Sequence, residues 1–140
     1  MCDYLFRKLN KNDYEKYLLL INEFRTTHFT YEQFINFLDN SQKNTEIIII
    51  EKNNEIIASG TILYEIKLIH NISLYAHIED IIVLSKYRNN GIGKLLIKYL
   101  IDNCKKQKCY KILLDCSSEL INFYEKNNFK KNGTQMAIYL

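Results

Sequence analysis

The chain has no proline and no tryptophan, and no apolar run approaches the roughly 18 residues that a membrane helix needs. No membrane segment is therefore expected. Met1-Cys2-Asp3-Tyr4 lacks the charged and apolar regions of a signal peptide, so no export signal is expected either. Four cysteines, Cys2, Cys104, Cys109 and Cys116, form no Cys-x-x-Cys, and no histidine stands at a zinc-ligand spacing from them. That argues against a metal site and for reduced thiols in a cytoplasmic protein. Cys116, closing an apolar run, is expected to be buried rather than nucleophilic. The net charge of +3 is too weak to argue for nucleic acid, yet it suits anionic small molecules. Heavy use of Asn, Lys, Ile and Tyr reads as compositional bias.

What is present fits one domain over 1–140, long enough to bury a core. Tyr4 to Leu9 alternates loosely, as a first strand would. Asn10 with Asp13 can cap a helix carrying Tyr14, Tyr17, Leu18, Ile21 and Phe24 on one stripe, read as core packing. Thr30-Tyr-Glu-Gln33 is a capping box for a helix burying Phe34, Phe37 and Leu38. Asp39 to Asn44 is a polar loop. Glu46 to Lys52, with four consecutive isoleucines, and Glu55 to Ile66 predict an antiparallel hairpin turning at Asn53-Asn54 with positive φ. Gly60 marks a bulge or a close-packing point.

The stretch from His77 to Leu96 is the most informative. Ile78, Ile81, Ile82, Val83 and Leu84 suit a buried strand. Arg88, Asn89, Asn90, Gly91, Ile92, Gly93 and Lys94 follow, and from Lys94 to about Lys106 the spacing is helical. Glycines let backbone approach a ligand, and a helix start offers unpaired N–H groups to a phosphate. A plain strand-loop-helix corner is the simpler alternative. A P-loop is excluded because Leu95 follows Lys94. A dinucleotide fingerprint is excluded because Leu96 replaces its third glycine. Downstream, Tyr110 to Cys116 predicts a buried strand, and Ser117 or Ser118 can cap a short helix with Leu120, Ile121, Phe123 and Tyr124. Phe129 to Lys131 and Thr134 to Leu140 read as final strand material.

R-x-x-G-x-G at Arg88 to Gly93 resembles the pyrophosphate-binding signature of the GCN5-related N-acetyltransferases. Within that superfamily, His77-Ile-Glu-Asp, Gly91-Ile-Gly-Lys-Leu-Leu, Cys109-Tyr-Lys-Ile-Leu-Leu-Asp-Cys and Asn122-Phe-Tyr-Glu-Lys-Asn-Asn-Phe resemble the glucosamine 6-phosphate N-acetyltransferases. The likeness runs from about Phe6 to Met136 and is strongest after Lys67. It implies an α/β fold (α+β in some schemes): a mixed, mostly antiparallel sheet, splayed at its middle strands and flanked by helices. It implies acetyl-CoA as co-substrate, no metal, and an amino-sugar phosphate acceptor. It also implies a homodimer whose active sites draw on both subunits.

The same resemblance distributes roles. Arg88 to Lys94 would hold the pyrophosphate, and the backbone of Ile81, Ile82 and Val83 the pantetheine arm. An N–H near Ile81 would polarise the acetyl carbonyl. Asn122 and Tyr124 would flank the sulfur, with the Tyr124 phenol protonating the leaving thiolate. Glu79, Asp80 and Asp115 are the carboxylates near the amine, and which one takes its proton is open. Adjacency on a strand predicts that Glu79 and Asp80 point to opposite faces. Thr26 or Thr27, Lys67, His70, Tyr110 and Lys111 would contact the acceptor, with Lys67 and His70 acting across a subunit interface. Two departures stand out: Asn89 occupies a position usually glycine, and Tyr139 replaces an arginine that reaches the sugar phosphate. The second leaves an acetyltransferase for another amine in view. A non-catalytic acyl-CoA-binding module is a third reading.

Overall fold

The computed structural model describes residues 3–41 and 43–140, so Cys2 and Gln42 lie outside the described residues. Five strands form one sheet in the order β1-β2-β3-β4-β5: β1 (Leu5–Lys8), β2 (Thr45–Lys52), β3 (Glu55–Lys67), β4 (Ser73–Val83) and β5 (Lys111–Leu113). The first four are mutually antiparallel, and β5 runs parallel to β4. Among the described residues four right-handed α-helices accompany them: α1 (Tyr14–Phe24), α2 (Tyr31–Ser41), α3 (Ile92–Lys106) and α4 (Ile121–Glu125).

Side-chain alternation assigns the layers. Ser59 of β3 donates to the Tyr17 hydroxyl of α1 at 3.3 Å. A Cβ placed on Gly60, its neighbour, would instead meet Leu100 of α3 at 2.8 Å. Successive strand residues face opposite ways, so α1 and α3 cover opposite faces. Ile48, Ile49 and Ile50 are consequently at most 1% exposed. Burying each such side chain contributes roughly 1.5–3 kcal/mol. The expected capping box closes as Thr30 N–H to Gln33 Oε1 at 2.8 Å and Gln33 N–H to Thr30 Oγ1 at 3.2 Å. Asn10 and Asp13 form a second box, opening a 3-10 turn ahead of α1. The hairpin turns at Asn53 (φ 50) and Asn54 (φ 63), as their tolerance of left-handed geometry predicts.

Several expectations need correction. α2 continues to Ser41, so the polar stretch from Asp39 begins inside a helix. Phe37 is 47% exposed, and Leu20 rather than Phe24 completes the α1 core face. α3 begins at Ile92, two residues before Lys94, because Gly91 (φ 79) serves as its N-cap. β5 spans only Lys111–Leu113; Asp115 and Cys116 leave the sheet and are exposed. No strand forms within 129–140, where Met136, Ile138, Tyr139 and Leu140 lie open to solvent. Among the described residues no strand pairs with this stretch.

Candidate active site

β4 carries the site, and two irregularities shape it. Pairing with β5 covers only Tyr75–His77 against Lys111–Leu113. From Ile78 to Val83 that edge of β4 has no strand partner, which is the expected splay. On its other side, Ser59 opposes Ile82 and Thr61 opposes Glu79, so Gly60 faces two residues, Asp80 and Ile81. β4 therefore bulges, with Asp80 in the left-handed region at φ 50. Gly60 is the close-packing point: a Cβ there would meet Ile81 Cδ1 at 2.7 Å. The extra residue sits on the facing strand.

The bulge interrupts the alternation on which the opposite-face argument for Glu79 and Asp80 rests. Glu79 shares a face with Thr61, the α1 side. Ile81 turns to the α3 side against Gly60. Asp80 is the inserted residue and is exposed. Two successive carboxylates thus share one region. Burial lifts the Glu79 carboxyl above its ordinary range, and the charges of Asp115 and then Asp80 add to this, against a smaller opposing effect of His77.

The chain leaves β4 through a 3-10 turn, Ser85–Tyr87, that is anchored on three sides. The Ser85 N–H donates to Glu23 of α1 at 2.9 Å, the Tyr87 hydroxyl donates to Glu55 at 3.1 Å, and Lys86 pairs with Glu55 at 2.8 Å. Arg88 Nε donates to the Val83 carbonyl at 2.9 Å, folding this cation back over the strand end. Asn89 (φ 63) and Gly91 (φ 79) then turn the loop into α3. Asn89 thus adopts the left-handed geometry that its side chain tolerates. The first backbone bond of α3 runs from Leu95 N–H to Gly91 O, so the amides of Ile92, Gly93 and Lys94 have no partner within the helix. No side chain caps them. Arg88, Asn89, Asn90, Gly91 and Lys94 are exposed. This arrangement fits a phosphate.

Gly93 joins this loop to α4. A Cβ at Gly93 would lie 3.3 Å from Phe123 Cζ, so glycine lets α4 pack against the first turn of α3. Tyr124 follows and is buried, edge-on to Phe123 and Phe129 with centroids 5.0 and 5.8 Å away. Burial raises its phenol, reinforced by Cys116 and Asp115. The hydroxyl stays protonated at neutral pH, as a proton donor must. Asn122 is exposed at the start of the same helix.

Four predicted acceptor residues gather elsewhere. His70 stacks on Tyr110 with centroids 4.2 Å apart, and Tyr75 stacks on Tyr110 at 5.6 Å. The ammonium groups of Lys67 and Lys111 lie 5.1 and 5.9 Å from the Tyr75 ring centre. Glu65 ties this cluster down through Lys67 at 3.1 Å and His77 at 2.8 Å, which hold its carboxyl below the usual range. His70, Asn71 and Ile72 all have positive φ, forming a left-handed turn between β3 and β4. Tyr75 and Val83 are eight residues apart on β4, about 26 Å at strand rise. The cluster and the glycine loop therefore occupy opposite ends of one strand. Thr26 and Thr27 lie in the connection from α1 to α2; the Thr27 N–H donates to Asn22 Oδ1 at 3.0 Å. Among the described residues no group of three or more His, Cys, Asp or Glu could hold a metal, and no helix is long and apolar enough to cross a membrane.

Sequence reasoning missed Glu23, Glu65 and Tyr75. Tyr75 had a readable signal, its place between two candidate cations. Glu23 and Glu65 act through contacts distant in sequence.

Comparison with known proteins agrees with this geometry. Residues 7–129 match the model of the acetyltransferase (GNAT) family. The chain is 38% identical to glucosamine 6-phosphate N-acetyltransferase 1 of Dictyostelium discoideum, over 96% of this chain and 90% of that one. It is 32% identical to the Candida albicans glucosamine 6-phosphate N-acetyltransferase, over 96% and 94%. The crystal structure of the Arabidopsis thaliana glucosamine 6-phosphate N-acetyltransferase superposes with a TM-score of 0.89 at 30% identity, covering 98% of each chain. The chain belongs to the acetyltransferase (GNAT) family, and within it to the family of the glucosamine 6-phosphate N-acetyltransferases.

Proposed function

We propose that this protein transfers the acetyl group of acetyl-CoA to the amine of glucosamine 6-phosphate, giving N-acetylglucosamine 6-phosphate by direct transfer in a ternary complex. The product serves UDP-N-acetylglucosamine synthesis. One domain carries the reaction. The observation that carries this reading is a convergence on the open edge of β4. There a bulged strand leads into an uncapped helix start, and the charge of Asp115 bears on both Glu79 and the Tyr124 phenol.

Acetyl-CoA supplies an activated acyl group as a thioester. The amides of Ile92, Gly93 and Lys94, with the Arg88 and Lys94 cations, hold its pyrophosphate. The unpartnered β4 edge at Ile81, Ile82 and Val83 offers backbone groups to the pantetheine arm, as a sheet edge does to an added strand. An amide at the bulge donates to the acetyl carbonyl as negative charge grows there. Glu79 accepts the amine proton through water, because burial and its carboxylate neighbours raise its affinity for a proton. Asp115 and Asp80 orient the sugar hydroxyls and amine. Tyr124 donates its proton to the departing thiolate, with Asn122 beside it.

Lys67, His70, Tyr110 and Lys111 recognise the sugar phosphate of a partner subunit's site. The exposed Ile66, Leu68, Ile69 and Ile72 beside them, at 58–86% exposure, support a homodimer with shared active sites. Thr26 or Thr27 completes the acceptor pocket. The free thiols of Cys104, Cys109 and Cys116 suit a reducing compartment and support a cytoplasmic location.

The absence of any arginine after Arg88 favours one second reading, an acetyltransferase for another amine. A thiol-release assay against a panel of amines tests both. Coenzyme A release with glucosamine 6-phosphate, and little with unphosphorylated glucosamine, is expected. Turnover of a protein N-terminus, lysine or polyamine in preference to the sugar phosphate would sink the main assignment.

A further inference from the structure

We propose that Tyr75 is a positioning residue for the acceptor: its ring gathers the ammonium groups of Lys67 and Lys111 into one cationic site for the sugar phosphate. This rests on the reaction proposed above. The four acceptor residues at this end of β4 converge on that ring. The Lys67 and Lys111 ammonium groups lie 5.1 and 5.9 Å from its centre. The Tyr110 and His70 rings stack on it with centroids 5.6 and 6.4 Å away. Tyr75 itself is 5% exposed. It lies beneath these groups rather than beside a ligand, and so acts through them.

The register of the sheet dictates this convergence. Glu65 of β3, Tyr75 of β4 and Lys111 of β5 stand in one row across the sheet, and residues directly opposite one another share a face. Lys67 stands two residues along β3 from Glu65, which keeps it on that face. Lys67 therefore approaches the ring from the β3 side and Lys111 from the β5 side. Two like charges brought together repel, and the negative face of an aromatic ring offsets part of that repulsion. Each ammonium carries three N–H donors, so contact with the ring leaves donors for phosphate oxygens. Glu65 also holds Lys67, at 3.1 Å. Among the described residues Lys111 forms no ion pair, which leaves the ring as the group that fixes it. This role needs the ring face, not the hydroxyl.

The test compares Tyr75→Phe, Tyr75→Leu and a variant carrying trifluorophenylalanine at position 75, all in the full-length protein. Fluorine withdraws charge from the ring face at nearly constant shape. Tyr75→Phe should keep KM for glucosamine 6-phosphate near the wild-type value. The fluorinated ring should raise it about fivefold over Tyr75→Phe, and Tyr75→Leu about tenfold, the scale of two cation–ring contacts. KM for acetyl-CoA should not move in any variant. A ring that merely packs would give the same KM with and without fluorine. That result, or a loss in Tyr75→Phe as large as in the fluorinated variant, overturns the inference. Proton NMR of the lysine ε-methylenes gives a readout independent of turnover. The Lys67 and Lys111 signals should be shifted upfield by the ring in the wild type and return toward the free-lysine position in Tyr75→Leu. Inorganic phosphate titrated on the same signals should half-saturate at about tenfold higher concentration in Tyr75→Leu. Lysine signals already at the free position in the wild type overturn the inference. Absence of wild-type turnover with glucosamine 6-phosphate instead overturns the functional reading, and the lysine signals still decide the role of Tyr75.

Discussion

The two ends of β4 solve recognition differently. At the Val83 end the ligand-facing groups are mostly backbone: helix amides, a bulged strand and an open edge. Their geometry is set by Gly60, Gly91 and Gly93 and by buried neighbours. At the Ser73 end the groups are side chains on a surface: His70, Tyr75 and Tyr110 stacked, with Lys67 and Lys111 against Tyr75. The second presents charge and rings outward, with nothing from its own chain to enclose a ligand. In the proposed reaction the donor is held mainly by backbone groups at the first end, and the acceptor phosphate by side chains at the second.

The sharpest way to break this contrast is to remove the acid at the first end. Tyr124→Phe should cut kcat by about 10²-fold or more while leaving coenzyme A affinity, read by calorimetry, near the wild-type value. Unchanged turnover would remove Tyr124 from the chemistry. Next in size is a mixing experiment between the ends. Lys111→Ala should raise KM for glucosamine 6-phosphate about tenfold, the scale of one charge-assisted contact, with KM for acetyl-CoA unaffected. Mixing it with Tyr124→Phe should restore part of the lost activity, because each mixed dimer holds one intact site. No recovery would confine each site to one subunit.

A pH profile gives a smaller but directional effect. The free-enzyme carboxyl of Glu79 is raised, so the acid limb of kcat/KM should lie above the ordinary glutamate value of about 4.3. Activity falls as pH drops through that limb, and Glu79→Gln should abolish it along with most of kcat. The last effect is on stability rather than turnover and lies outside both ends. Asp13 is buried and meets the Arg7 guanidinium at 2.7 and 2.8 Å. Burial raises its carboxyl, but Arg7 and the Asn10 N–H outweigh this and lower it overall. Its stabilisation is therefore complete above the unfolded value, near pH 4, and is lost as pH falls through the folded value. Asp13→Asn should cost about 3 kcal/mol at neutral pH by denaturant unfolding, with the loss shrinking in acid.

What could be read from the residues follows the same divide. The hairpin, both capping boxes and the glycine loop were legible because each depends on neighbours within a few residues. The bulge was not. Gly60 signals it, but the extra residue sits on the partner strand, and only the pairing of Ser59 with Ile82 and Thr61 with Glu79 reveals it. Simple alternation therefore breaks off at Asp80. The short β5 and the unpaired 129–140 stretch failed for a related reason: strand character in isolation does not supply a partner. Cys116 was expected inside because its neighbours are apolar, yet β5 stops at Leu113 and carries it outward. The Lys67–His70 segment was found only by resemblance, since loops with one lysine and one histidine are common.

Gly60 has a mechanical consequence. The space it vacates is shared by Ile81 from the strand and by Leu96 and Leu100 from α3. Strand and helix are thereby geared together. A methyl group at that position would collide with Ile81 and Leu100 at once, so Gly60→Ala should displace strand and helix together, a loss of stability that denaturant unfolding would read.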